Sequence, residues 1–270
     1  MYHTRKAGFA GTLDPLATGV LICALGNATR LLTYLEADAK HYVATVELGR
    51  ETDTDDAEGS EVAQGDWTAV SRDQLEAALT VFRGPIRQRP PTYSAISVGG
   101  QRLYALARRG EAIVAAEREI TIHALSLVSW QPPQLTLVVH CSKGTYIRAL
   151  ARDLGRVLGC CGYLAALRRT VSGAFSLDQA HSLAQLEGVD DEQRAGYLLP
   201  LRAGVTHLPV RVLDTEGTES VRRGQRVPDA EHSDGPVVLV DHSGNVVAIG
   251  RYVDDMLQPE KVLAVEEAGD

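Results

Sequence analysis

The feature that most limits the architecture is a pair of strand-like stretches, Ile120–Trp130 and Leu135–Cys141, joined through Gln131-Pro132-Pro133. Both are rich in β-branched and aliphatic residues, and the prolines mark a turn between them. A third stretch, Tyr42–Leu48, alternates apolar and polar residues with the period of a half-buried strand. Helical signals lie between them. Ser71 and Gln74 make a capping box for a helix that ends at Gly84, and Ser182 and Gln185 open another. After Gly144, the residues Ile147, Leu150, Ala151, Leu154 and Leu158 fall on one helical face. Thr18–Leu25 reads as a short buried strand, and Asn27 as the cap of a helix running to about Leu35. Glu51–Gly65 reads as an acidic loop and Leu103–Arg109 as a short helix. The first 200 residues or so are therefore expected to mix α and β structure. A composition shift begins near Glu187. Short strands are expected at Val210–Leu213, Val237–Asp241, Val246–Gly250 and Val262–Val265, with Asp241–Asn245 as a hairpin-type turn. That spacing suggests a small C-terminal β-barrel.

A chain of 270 residues with 44% hydrophobic content can bury a sizeable core. It has no run of about 18 apolar residues, and its first residues, MYHTRKAGFAGT, lack the apolar run of a signal peptide. Neither a membrane nor a disulfide scaffold is expected. Cys23, Cys141, Cys160 and Cys161 have no disulfide-framework or zinc-site spacing and read as free thiols of the cytoplasm. The net charge of −8 argues by itself against a nucleic-acid partner. The charges are segregated, however. Arg83–Gly110 holds six arginines and no acid, and Lys143–Arg169 holds six basic residues and one acid. Glu47–Asp66 holds eight acids and one arginine. An acidic chain ordered this way can still present one basic face, unless these arginines are scattered over the surface.

Four segments carry candidate chemistry. In Gly8–Pro15 (GFAGTLDP), two glycines let the backbone approach a ligand, and Pro15 keeps Asp14 extended. Such a carboxylate can act as nucleophile or base, or simply cap the following turn. Tyr42 can stack on an extruded base or handle a proton, or be a packing residue of its strand. In Ser142–Arg148 (SKGTYIR), a strand passes into a helix. Lys143 and the helix start attract anions there. If the backbone is extended, Tyr146 and Arg148 share a face, and if it is helical they diverge. Arg148 can pair with Asp14 or lie on the surface. Ile86–Ile96 is a basic strip stiffened by Pro90 and Pro91, able to line an RNA groove or to pack as a rigid loop. Metal-ligand clusters, a P-loop and a dinucleotide fingerprint are missing, and the eight histidines are dispersed.

Taken in order, the stretches 8–21, 40–59, 87–97, 100–110, 141–155 and 163–175 resemble the TruB family, the tRNA pseudouridine-55 synthases. The resemblance implies an α+β pseudouridine synthase fold over residues 1–186, a mixed, mainly antiparallel sheet flanked by helices. A linker at 187–203 and a small PUA-like RNA-binding β-barrel at 204–265 would follow. It implies that Asp14 is catalytic, that Tyr42 stacks on the target base, that Arg148 pairs with Asp14 beside Tyr146, and that Leu167 walls the uracil pocket. Phe9, Arg87, Arg89, Arg108, Lys143 and Arg152 are the expected RNA contacts. The implied partner is the T-stem-loop of tRNA, met by a monomer. The implied reaction detaches uracil from its ribose and rejoins it through carbon, so no cofactor is expected.

The chain departs from the family at three points. Phe9 stands where the family usually has His, and Ser97 where it has Lys. Family members also carry a strand with Lys-Pro and Gly ahead of the GTLDP loop, so a sheet lacking that first strand is expected. A second reading is an RNA-binding protein that keeps the fold without catalysis, such as a tRNA folding helper.

Overall fold

The computed structural model describes residues 2–35, 39–94, 97–98, 101–102, 115–229, 231 and 233–263. The first strands in chain order are β1 (Ala7–Ala10), β2 (Ala17–Gly19), β3 (Ile22–Leu25), β4 (Lys40–Leu48), β5 (Arg50–Thr52) and β6 (Glu61–Gln64). Next come β7 (Gly84–Gln88), β8 (Ser97–Val98), β9 (Gln101–Arg102), β10 (Arg118–Gln131), β11 (Gln134–Cys141), β12 (Gly162–Ser172) and β13 (Phe175–Ser176). The last are β14 (Val210–Val212), β15 (Val227–Pro228), β16 (Val237–Val240), β17 (Val246–Val253) and β18 (Met256–Val262). The α-helices are α1 (Arg72–Thr80), α2 (Ile147–Val157), α3 (Leu183–Glu187), α4 (Asp191–Gly196) and α5 (Thr215–Arg222). They form two compact units. One holds residues 13–20 and 37–180, the other residues 1–12, 21–36 and 181–270. The units part between Ala180 and His181, ahead of the boundary expected at 186, and the second draws on both ends of the chain.

The larger unit is built on a seven-stranded sheet of order β13-β12-β4-β11-β10-β7, with β2 running parallel beside β12. The hairpin of β10 and β11 turns at Pro132-Pro133, as the sequence requires. Alternation in β4 sends Tyr42, Ala44, Val46 and Leu48 into the core, against Leu75 and Leu79 of α1 and Leu150 and Leu154 of α2. Each fully buried leucine contributes roughly 1.5–3 kcal/mol of transfer free energy. Helix α1 begins with the expected capping box: Gln74 N donates to Ser71 Oγ (3.2 Å) and Ser71 N donates to Gln74 Oε1 (2.8 Å). Helix α2 is buried on both sides, its arginine-bearing face as well as its apolar one. Gly155 lets it approach the chain entering β12, where a Cβ would lie 2.2 Å from Cys161 C.

The smaller unit contains a five-stranded sheet of order β14-β16-β17-β18-β15 and the separate two-stranded β1–β3 pair. Strand β16 (Val-Val-Leu-Val) is apolar throughout because both of its faces are covered. Val237 and Leu239 pack with Val221 of α5, while Val238 and Val240 pack with Leu31 and Val205.

Several sequence expectations are corrected. Thr18–Leu25 is not one buried strand: β2 and β3 belong to different sheets, and Leu21 between them is 41% exposed. The helix expected from Asn27 to Leu35 is a short 3-10 turn over Gly26–Leu31 whose N-cap is Leu25, without a side-chain cap. The acidic loop contains the β5–β6 pair, and the last strand among the described residues is Met256–Val262, while Ala264 and Val265 of the strand expected at Val262–Val265 lie outside them. Leu103–Arg109 lies outside the described residues.

Gly19 explains how β2 is seated. Its φ is +100°, and a Cβ would fall 2.1 Å from Arg169 O on β12. Replacing it with Ala adds left-handed strain and a backbone clash. Gly19→Ala should therefore lower unfolding free energy by more than about 2 kcal/mol in urea denaturation.

Candidate active site

All parts of the site described here lie within the larger unit. Asp14 leads into a tight turn, its carbonyl accepting from Ala17 N (2.9 Å), after which β2 pairs with β12. The turn is thus fixed by backbone bonds, and the side chain is left for another task. The Asp14 carboxylate takes two parallel bonds from Arg148: Nε to Oδ2 at 2.9 Å and Nη2 to Oδ1 at 2.8 Å. This planar fork is the geometry that an arginine offers and a lysine does not. The Arg148 side chain is only 6% exposed, whereas that of Asp14 remains 32% exposed.

Arg148 fills its remaining donors within the fold. Nη1 donates to Thr54 O and Nη2 to Tyr93 O, both at 3.0 Å. Asp56, itself 3% exposed, lies 3.5 Å from Nη1. The Asp56 carboxylate accepts from Thr54 Oγ1 (2.6 Å) and Glu58 N (3.0 Å). A charge this deeply buried is tolerable only when paired and hydrogen bonded.

Helix α2 begins at Ile147, with Tyr146 at the extended N-cap. Tyr146 and Arg148 consequently diverge. The Arg118 guanidinium lies over the Tyr146 ring, 5.7 Å from its centroid. The Gln88 side chain clamps the Tyr146 backbone, accepting from its N–H (2.8 Å) and donating to its carbonyl (3.0 Å). Gln88, at the end of β7, thereby fixes where α2 starts.

Tyr42 and Leu167 come together through strand register. Tyr42 stands opposite Arg169, and Leu167 opposite Ala44 on one side and Ala17 on the other. Arg169 is fully buried, and its Nε donates to Val20 O at 2.8 Å. Its positive charge acts on the Tyr42 hydroxyl. Burial pushes the Tyr42 pKa up to about 12, helped by Cys141 and by the charge of Asp14 and opposed by Arg169. The hydroxyl is therefore protonated at neutral pH, and the side chain is only 6% exposed.

The expected RNA contacts divide. Arg87, Arg89 and Lys143 are exposed. Arg89 also pairs with Glu117 at 3.0 Å. Phe9 is 57% exposed on β1, in the other unit. Arg152 does not stand on the surface: it is 7% exposed, with Nη1 2.7 Å from Asp55 Oδ2, Nε on Asp153, and Nη2 on Arg89 O. Arg108 lies outside the described residues. Sequence reasoning missed Arg169, Gln88, Asp55 and Asp56. Strand parity with Leu167 was the available signal for Arg169. Among the described residues, no group of three or more His, Cys, Asp or Glu side chains converges to hold a metal ion.

Comparison with known proteins fits this geometry. The family model for the N-terminal domain of TruB family pseudouridylate synthases matches residues 1–147. That for the tRNA pseudouridylate synthase B C-terminal domain matches residues 148–206. A protein of Parasynechococcus marenigrum named tRNA pseudouridine synthase B is 47% identical over 264 residues, covering 97% of this chain and 89% of the relative. A protein of the same name from Pseudomonas aeruginosa is 45% identical over 261 residues, covering 94% and 85%. Among solved structures, a Cbf5-Nop10-Gar1 complex contains a chain with TM-score 0.72 at 25% identity, covering 97% of this chain and 78% of that one. An H/ACA RNP bound to a substrate RNA containing 2'-deoxyuridine gives 0.71 at 22% identity, covering 98% and 78%. The fold is shared with these assemblies.

The Tyr42 environment yields a pH prediction. With a folded pKa of about 12 against an ordinary value near 10, Tyr42 contributes stability that is complete below pH ~10 and is lost as pH rises through about 12. Alkaline absorbance titration of the wild type minus Tyr42→Phe should show one tyrosine ionising near 12. A difference centred near ~10 would contradict this burial.

Proposed function

The chain belongs to the TruB family of pseudouridylate synthases, and from that premise we propose that it isomerises a T-loop uridine of tRNA to pseudouridine with Asp14 as its catalytic residue. The observation that carries this reading is the Asp14–Arg148 fork. One partner is nearly buried, while the carboxylate stays a third exposed. The fork orients the carboxylate, and the exposed part is free to meet the ribose or base of an extruded nucleotide. A nucleotide inside a stem-loop must leave its stack to reach such a group, and Tyr42, though 6% exposed in this structure, is the residue we assign to receive it. Leu167 would form the apolar wall.

The reaction balances without any other reagent. The bond from the uracil nitrogen to the ribose breaks and a bond from ring carbon to ribose forms. The proton on that carbon is lost and the freed nitrogen gains one. The protein's part is to hold the detached base while it turns and to keep Asp14 in place at both ends of the path. Arg87, Arg89 and Lys143 supply exposed positive charge for phosphates, and Phe9 an exposed aromatic face. The sheet of β14–β18 with α5 is proposed as a PUA-like RNA-binding domain. A monomer acting in the cytoplasm completes the reading.

Asp14→Asn tests it. The amide keeps the shape of the carboxylate and is an equally good turn cap, but it cannot act as nucleophile or accept a proton in the same way. The variant should make no detectable pseudouridine in an unmodified tRNA transcript, while its tRNA affinity stays within about threefold because phosphate contacts set most of it. Wild-type product yield from Asp14→Asn would remove the catalytic assignment.

A further inference from the structure

Arg148 and Arg152 stand one helical turn apart on α2, and they grip the same two segments. Arg148 donates to Thr54 O and Tyr93 O. Arg152 donates to the Asp55 carboxylate at 2.7 Å and to Arg89 O at 2.9 Å. Two rungs therefore join the loop Thr52–Gly59 to the strip Arg89–Tyr93, and the Arg148 rung also carries Asp14.

The second rung is held as firmly as the first. Asp55 and Arg152 are 6% and 7% exposed. Asp55 has φ +61°, a left-handed conformation that few residues other than glycine adopt. Backbone bonds fix it from β12: Leu164 N donates to Asp55 O, and Ala57 N to Leu164 O, both at 3.0 Å. The same strand carries Leu167 and Arg169. Asp153 Oδ1 accepts from Arg152 Nε at 2.9 Å, holding the guanidinium plane from a third direction.

We propose that Asp55 and Arg152 are positioning residues for the isomerisation: their ion pair sets the loop and strip so that Arg148 presents Asp14 correctly. The proposal rests on the functional reading above. It acts through geometry, since neither residue touches Asp14 or faces the substrate side of its carboxylate in the bonds described. A small misplacement of a reacting group is enough to cost a large factor in rate.

The pair also gives a pH signature. Asp55 is surrounded by Arg152, Arg148 and Arg156 of α2, by Glu51 of β5, and by Asp56 next to it, while Asp153 faces Arg152. Burial pushes its carboxyl up to about 6 although Arg152 pulls it down. Protonation near that pH weakens the rung. It does not weaken the fold through this group. A carboxyl whose folded pKa is raised favours the folded state most at low pH, and this advantage is lost as pH rises from about 4 through about 6. Turnover should therefore fall as pH drops through about 6, without Asp55 lowering the thermal midpoint.

The test is steady-state kinetics on an unmodified tRNA transcript with wild type, Asp55→Asn, Arg152→Met and the double variant. The double variant removes both charges together and so avoids leaving one buried alone. Each folded variant should lose about tenfold or more in kcat with KM within about threefold, and the double variant should be no better than the singles. The wild-type kcat limb near pH 6 should be missing from Asp55→Asn. A double variant with wild-type kcat, a wild-type kcat that is flat from pH 7 to pH ~5, or an unchanged limb in Asp55→Asn overturns the proposal. A wild-type protein that makes no pseudouridine at all overturns the functional reading itself.

Discussion

A guanidinium buried to within 5% of full enclosure has to be met on every edge, and Arg148 draws three separate pieces of chain to its own helix to do so. The turn at Asp14 supplies a carboxylate, the acidic loop supplies Thr54 O and Asp56, and the proline-stiffened strip supplies Tyr93 O. Helix α2 supplies the arginine itself, with Gln88 fixing the start of that helix through the Tyr146 backbone. Such an ion pair adds little to stability compared with an apolar core of the same volume. Its value is geometric, because one planar group fixes the carboxylate against elements far apart in sequence.

The same demand explains the odd charge pattern of the chain. The acid-rich stretch Glu47–Asp66 looks like a solvated loop when read alone. In the fold, several of its acids are counter-charges: Glu47 to Arg50, Glu51 to Arg156, Asp55 to Arg152 and Asp56 to Arg148. Two blocks of opposite sign in the sequence thus neutralise each other across β5, its following loop and α2. What remains on the basic side is smaller than the count suggests, because Arg148, Arg152 and Arg169 are buried. Arg87, Arg89 and Lys143 keep their exposure.

Where local chemistry decided the structure, it was legible in advance. The Ser71–Gln74 capping box, the turn at Pro132-Pro133, the alternation of β4 and the apolar face of α2 are signals contained within a few residues. What could not be read depends on partners distant in sequence. Thr18–Leu25 looks like one strand, but Gly19 at φ +100° and the tight approach to Arg169 end β2 there. Arg152 looks like a surface arginine of a basic stretch until Asp55, nearly a hundred positions earlier, is brought to 2.7 Å. Arg169 lies in an Arg-Arg pair that reads as solvent-facing, and only the register opposite Tyr42 turns it inward. In the sequence, Asp14 can equally be a turn cap and Arg148 a surface charge. The structure gives the turn its backbone bond and leaves the carboxylate to the arginine.

The proposed role of Asp14 requires the fork geometry of Arg148, beyond its positive charge. Arg148→Lys isolates the two, since lysine keeps the charge but cannot give parallel bonds to Asp14 while also reaching Thr54 O and Tyr93 O. The measurement is the single-turnover rate of pseudouridine formation at saturating enzyme, alongside the tRNA dissociation constant. The variant should fold, its rate should fall by about a hundredfold or more, and its dissociation constant should stay within about threefold. A lysine variant that turns over its tRNA at the wild-type rate would contradict it.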